Sequence, residues 1–300
     1  MRIDAHQHFW RLGNGYYGWL TPDLAPIHAD FGPAELLPHM MDANVDGSVL
    51  VQAAADMRET EYLLGLAAEH GFIRGVVGWV DMESAECHAQ LRRLAENPVF
   101  KGIRPMLQDL PDKGWMLKSE LDQVFLTLTE LGLSFDALVR PEHLDNLVTL
   151  ARRHGGLSFI VDHGAKPDIA GEGGKGDGFD AWADGMARLA AAPNVACKLS
   201  GLVTEARPGA ALDDLAPYLD HLYDVFGSAR LMWGSDWPVL LLKGSYAGWF
   251  HMFAEWAAGK SAEDRRNFFG ATAARWYRID TQPDAQTETP RGTRAQDGAR

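Results

Sequence analysis

Cysteine is nearly absent. With only Cys87 and Cys197 in 300 residues, neither a disulfide framework nor a Cys-rich zinc module can form, and a reducing, cytoplasmic setting is expected. Long apolar runs are missing too. None reaches the roughly 18–20 residues that would cross a bilayer, and no basic-then-apolar leader precedes the first strand. A soluble, unexported protein without a membrane partner is the expectation. Positive charge is scarce, with 28 Lys and Arg against 41 Asp and Glu and a formal net charge of −13. No basic stripe is interleaved with aromatics, so nucleic acid is not an expected partner. A working dinucleotide fingerprint is also lacking. GEGGKG at 171–176 has the glycine spacing, but it follows Pro167 well beyond its strand and opens no helix directly. The Gly-rich loop 171–178 is therefore expected to be a mobile lid rather than a phosphate cradle.

What is present is regular. Short runs rich in Val, Ile, Leu and Phe occur at 2–9, 47–53, 75–81, 101–107, 133–139, 157–164, 195–201 and 230–236. Each is short enough for a strand and bounded by turn residues. Between them lie segments of helical period at 59–71, 85–98, 121–132, 141–155, 179–193 and 212–227, several ending in Gly or Pro. Repeated strand-then-helix order implies parallel strands with right-handed crossovers. Eight such strands close most naturally into an α/β protein of the (β/α)8 TIM-barrel type. A doubly wound open sheet is the alternative, since order alone does not show closure. Residues 1–280 are expected to form this single barrel. The remainder, TQPDAQTETPRGTRAQDGAR, is polar and without period, so 281–300 is expected to be a disordered tail.

In such barrels the chemistry sits at the C-terminal ends of the strands, and those ends are polar here. They carry His6 and His8, Gln52, Trp79 and Asp81, Arg104, His163, Lys198 and Ser200, and Asp236. In the opening MRIDAHQHFW, alternation should put Asp4, His6 and His8 on one face and Ile3, Ala5, Gln7 and Phe9 on the other. A His-x-His pair by itself offers two ligand nitrogens or a partly buried polar pair. A convergence of His, Lys, Arg and Asp in a barrel needs compensation, because an unpaired buried ion costs several kcal/mol. A catalytic site and a self-neutralising structural network both supply it. Cys197 should face away from Lys198, into the core. The first loop places Trp10, Tyr16, Tyr17 and Trp19 directly after the His pair, which suits either a satellite core or a platform for the apolar face of a sugar ring.

DAHQHFW at the start, VDHGAKP at 161–167, KLSGL at 198–202 and GSDWPV at 234–239 together resemble the amidohydrolase superfamily. The match is to its amidohydrolase-related branch of sugar lactonases, which includes L-fuconolactonase and L-rhamnono-lactonase. The resemblance spans roughly residues 1–278, with its four motifs in the expected order. It implies that His6, His8, His163 and Asp236 are the metal-site positions. Strand four ends in Arg104 where a bridging Lys or Glu would stand, and strand five ends in Ala137-Leu138-Val139 rather than in a His. One divalent metal, zinc by preference, or none is therefore implied, and a binuclear centre is not. The implied reaction is hydrolysis of an L-fucono-, L-rhamnono- or galactono-type lactone to its aldonic acid in carbohydrate catabolism. Asp236 would act as general base. His163, with the other imidazoles, would hold the metal or position water, while Arg104 and Lys198 would polarise the carbonyl. Trp10, Tyr16, Trp19, Gln52, Trp79 and Trp237 are the candidate substrate contacts. A zinc-dependent decarboxylase of an aromatic or muconate-type acid is the alternative on the same barrel, with a noncatalytic sugar-binding barrel more remote. Homo-oligomerisation is neither required nor excluded.

Overall fold

Each of the eight apolar runs overlaps a parallel strand in the computed structural model, which describes residues 1–169 and 178–280, with β3 and β4 beginning two and one residues earlier than their runs. They are β1 (Ile3–Gln7), β2 (Gly47–Val51), β3 (Ile73–Gly78), β4 (Phe100–Ile103), β5 (Ser134–Ala137), β6 (Ser158–Val161), β7 (Val195–Leu199) and β8 (Leu231–Trp233). The strands pair in sequence order from β1 to β8. A parallel bridge between Gln7 and Trp237 joins the last edge to the first, with Asp236 N donating to His6 O at 2.8 Å. That seam makes the sheet a barrel and removes the open-sheet alternative. The glycine-rich segment 171–176 and the tail 281–300 lie outside the described residues.

Helices cover the outside of the barrel because most outward strand positions are apolar. Leu50, Val76, Phe135, Phe159, Cys197 and Trp233 are buried in one continuous core with the helices, each large side chain contributing about 1.5–3 kcal/mol by leaving water. Inward positions form a second cluster: Ile3, Ala5, Val49, Val51, Val77, Ile160, Ala196 and Met232. Ala273, Ala274, Tyr277 and Ile279 from the last helix, Thr272–Trp276, and its exit belong to the same cluster. They plug the N-terminal end of the barrel and leave the opposite end as the mouth.

Strict alternation fails in β1. Its pairing with β2 changes register between Asp4 and Gln7. Ile3 and Ala5 therefore point inward, and Asp4 points to the seam, where its carboxylate accepts from Ser235 N at 2.8 Å and His6 N at 3.2 Å. Beyond the shift the imidazoles of His6 and His8 face inward, while Phe9 joins the outer core. One displaced pairing reverses every later side chain, so Asp4 does not share a face with the two histidines.

Candidate active site

Above the apolar plug lies a layer of buried charge. Lys198 Nζ is 2.7 Å from Asp136 Oδ2 and 3.0 Å from both Asp162 Oδ1 and His6 Nδ1. Arg104 Nη1 is 3.1 Å from Asp162 Oδ2. Tyr277 donates its hydroxyl to Asp136 from below. Two carboxylates thus face two cations, which offsets the desolvation that an unmatched buried ion would suffer. Burial works against the Asp162 anion, yet Lys198, His6 and Arg104 hold its carboxyl well below the usual range.

The next layer forms the floor of a cavity of about 340 Å³ at the barrel mouth. His8, His163, Asp236, Arg104 and Lys166, with Gln108 and Asp109, supply its polar lining, and Trp19, Ala53, Met106, Leu138 and Val239 its apolar walls. Asp236 Oδ1 lies 3.4 Å from His8 Nε2 and 3.8 Å from both His6 Nε2 and His163 Nε2. Two ligands about 2.0 Å from one tetrahedral ion sit about 3.3 Å apart, so this spacing suits donors to a shared cation. His6, His163 and Asp236 all have ligand atoms within 4.8 Å of one another. The far nitrogens are already engaged. His8 Nδ1 donates to Val51 O at 2.7 Å, and His163 Nδ1 pairs with Ser200 Oγ at 2.9 Å. A backbone carbonyl only accepts, so the His8 proton is fixed on Nδ1 and its Nε2 lone pair faces the cluster. Arg104 Nη1 lies 3.3 Å from His6 Nε2, and a cation bound to that nitrogen would displace this contact.

Protonation follows from burial. Desolvation pushes His163 down to about 4 and lowers His6 and His8 as well. Burial alone would raise Asp236, but the neighbouring imidazoles of His163, His8 and His6 outweigh it and hold the carboxyl far below its usual range. Near neutral pH the cluster is therefore three neutral imidazoles around one carboxylate. That is the form in which these groups bind a metal, and the form in which Asp236 can accept a proton.

The amidohydrolase family profile matches residues 3–279. The chain belongs to that family. It is 42% identical over 285 residues to an L-fucono-1,5-lactonase of Burkholderia ambifaria, covering 93% of this chain and 96% of that protein. It is 36% identical to an L-fucono-1,5-lactonase of Burkholderia multivorans, covering 95% and 99%. The crystal structure of an amidohydrolase from Burkholderia multivorans with bound zinc superposes with a TM-score of 0.86 at 36% identity, covering 93% of this chain and all of that one.

Within this amidohydrolase site the predicted residues fall at different depths. His8, His163, Asp236, Arg104 and Trp19 line the cavity. His6 is fully buried just behind them. Lys198 is not in the cavity: it lies one layer lower, enclosed by Asp136, Asp162 and His6, and cannot meet a substrate carbonyl. Gln52 is sealed beside Arg104, exchanging amide and guanidinium hydrogen bonds with that residue's carbonyl and its own. Trp10 is fully buried, its Nε1 donating to Ala29 O at 2.9 Å. Trp237 is buried edge-on between Phe9 and Phe31 in the outer core. Tyr16 turns outward under the Arg58 guanidinium, and Trp79 lines a separate cavity of about 130 Å³. None of these five lines the cavity: Trp10 packs in the loop's own cluster, Tyr16 faces Arg58, Gln52 is held by Arg104, and Trp79 and Trp237 face other surroundings.

Several residues of this amidohydrolase site escaped sequence reasoning, among them the cavity-lining Gln108 and Asp109. Asp136 and Asp162 could have been found as carboxylates standing in otherwise apolar strand runs. Lys166 lies inside the VDHGAKP motif itself. Glu59 is fully buried at the start of the helix Met57–Glu69, where it accepts from Ala53 N and Ala54 N. A first-turn glutamate ordinarily signals only the helix dipole, so nothing in the sequence marked it.

Proposed function

We infer that this chain is a lactonase that opens a sugar-derived lactone of the L-fucono, L-rhamnono or galactono type to its aldonic acid. The relatives supply the substrate class. The observation that carries the reaction is an ionised Asp236 ringed by neutral imidazole nitrogens at the floor of a sugar-sized cavity.

Asp236 takes a proton from a water as that water's oxygen adds to the lactone carbonyl carbon. The tetrahedral adduct collapses by breaking the ring carbon–oxygen bond, and Asp236 returns the proton to the departing ring oxygen. The new carboxylic acid then ionises, so one proton is released for each ring opened. His8 and His163 orient the water through their inward Nε2 atoms, while Arg104 supplies fixed positive charge at the cavity edge. Trp19, held by its Nε1 on Ala53 O at 2.7 Å, offers an aromatic wall to the sugar ring.

His6, His8, His163 and Asp236 form the set that would hold one divalent cation, zinc by preference, and the zinc-bound relative supports that assignment. Such an ion would acidify water and polarise an ester carbonyl. We further assign residues 1–280 as the catalytic domain and place the reaction in carbohydrate catabolism in the cytoplasm, where two buried, unpaired cysteines are at home.

A pH-indicator screen over a panel of aldonolactones, with and without chelator, tests the reading. Acid release above the spontaneous rate on at least one lactone of these types is expected. An inert enzyme across the panel would overturn it, and carbon dioxide release from aromatic acids would put a decarboxylase in its place.

A further inference from the structure

With Lys198 sealed below the floor, the lysine that does reach the cavity is Lys166. Its backbone belongs to an unusual turn. His163, Gly164, Ala165 and Lys166 all have left-handed φ, at 56°, 56°, 61° and 50°. Lys166 N closes the turn on His163 O at 2.8 Å. Left-handed backbone costs about 1–2 kcal/mol for each residue bearing a Cβ, so three such residues within one four-residue turn persist only if their surroundings enforce them. They do: Trp182 Nε1 donates to Gly164 O at 2.7 Å, and His163 Nδ1 is held by Ser200 Oγ at 2.9 Å. Asp236 is also left-handed, at 59°. Three of the six non-glycine residues with left-handed φ among the described residues, His163, Lys166 and Asp236, thus line the cavity.

The turn has a geometric consequence. A three-residue period returns position i+3 to the side of position i, so the Lys166 side chain follows His163 into the cavity and lines the same wall. Among the described residues its ammonium has one ion-pair partner, Glu205 Oε1 at 3.8 Å, too long for a hydrogen bond. The other cation of the lining, Arg104, has Nη1 committed to Asp162 and Nη2 to Gln52 O. Lys166 therefore brings uncommitted N–H donors to the cavity that Asp236 also lines.

We propose that Lys166 is the catalytic cation that binds the lactone carbonyl oxygen and carries its charge in the tetrahedral adduct, the part that sequence reasoning shared between Arg104 and Lys198. The assignment rests on the lactonase reading. A ground-state carbonyl oxygen bears little charge and the adduct oxygen bears a full one, so the contact strengthens on the way to the transition state and acts on kcat.

The test compares wild type with Lys166→Met and Lys166→Arg on the best lactone of the panel. Lys166→Met should lose about 10²–10³ in kcat, with KM changed less than about threefold. Lys166→Arg should recover at least about tenfold of that loss, and thermal midpoints should stay together. If Lys166→Met does not fold, Lys166→Gln is read in its place. An active wild type beside an equally active Lys166→Met, or a variant whose KM rises at unchanged kcat, overturns the assignment alone. A wild type inert towards every lactone overturns the lactonase reading and this one with it.

Discussion

Replacing Glu59 with Gln should make the barrel's stability less sensitive to pH as it rises from about 4.5 to 8. Burial pushes the Glu59 carboxyl up to about 7 from an ordinary 4.5, although the Ala53 and Ala54 amides and the Arg104 charge pull the other way. The folded protein therefore holds this proton more tightly than the unfolded chain does. Stability from the neutral carboxyl is fully present below about pH 4.5 and is lost as pH rises through about 7. A difference of 2.5 between the two values corresponds to about 3 kcal/mol. Gln cannot titrate. Its oxygen can occupy the Oε2 position, which accepts from Ala53 N at 3.0 Å and Ala54 N at 2.7 Å. Its amino group then meets the same Ala53 N–H and adds an offset that does not vary with pH. Urea melts of both proteins at intervals from pH 4.5 to 8 isolate the titrating part. The wild type should lose about 3 kcal/mol relative to Glu59→Gln across that window, roughly 5–10 °C in Tm. A stability difference constant with pH would refute the reasoning and mean that Glu59 is charged throughout. The site feels this proton as well, because Ala53 lines the cavity and its carbonyl anchors Trp19.

Asp236→Asn should fold normally and lose about 10²–10⁴ in kcat. Elemental analysis of the wild type should find at most one divalent ion per chain, and a fall in the variant would assign Asp236 as a ligand as well as the base, whereas two tightly held ions in the wild type would refute the single-site geometry. Trp19→Ala should raise KM more than it lowers kcat, and a pure kcat loss would remove Trp19 as a sugar platform. Gly201→Ala should cost about 1–3 kcal/mol and reduce activity with it, since Gly201 has φ +65° and an added Cβ would lie 2.5 Å from His163 Nδ1. A variant that melts with the wild type would show that His163 can move aside freely.

Much of this protein was legible in the residues alone, for a reason rooted in periodicity. Eight apolar runs separated by helical segments admit few topologies, and polar side chains at the ends of parallel strands must meet at one mouth once the sheet closes. His6, His8, His163, Arg104 and Asp236 could be named together on that basis. Depth along the barrel could not be read. Alternation tells which side of a strand a residue faces, but Lys198 and the residues of the mouth share the inward side, and only the carboxylates of Asp136 and Asp162, brought in from other strands, decide that Lys198 stays below. Likewise one shifted pairing in β1 turned Asp4 away from the histidines. Four left-handed residues, which no residue type but glycine announces, carried Lys166 into the cavity. Aromatic content marked the first loop, yet its rings pack on each other before they reach solvent, so Trp19 alone among the loop aromatics named as contacts lines the cavity. Local pattern sets the element and its face. Which inward group touches substrate is settled by charges and packing contributed from strands distant in sequence, and those exist only after the barrel has closed.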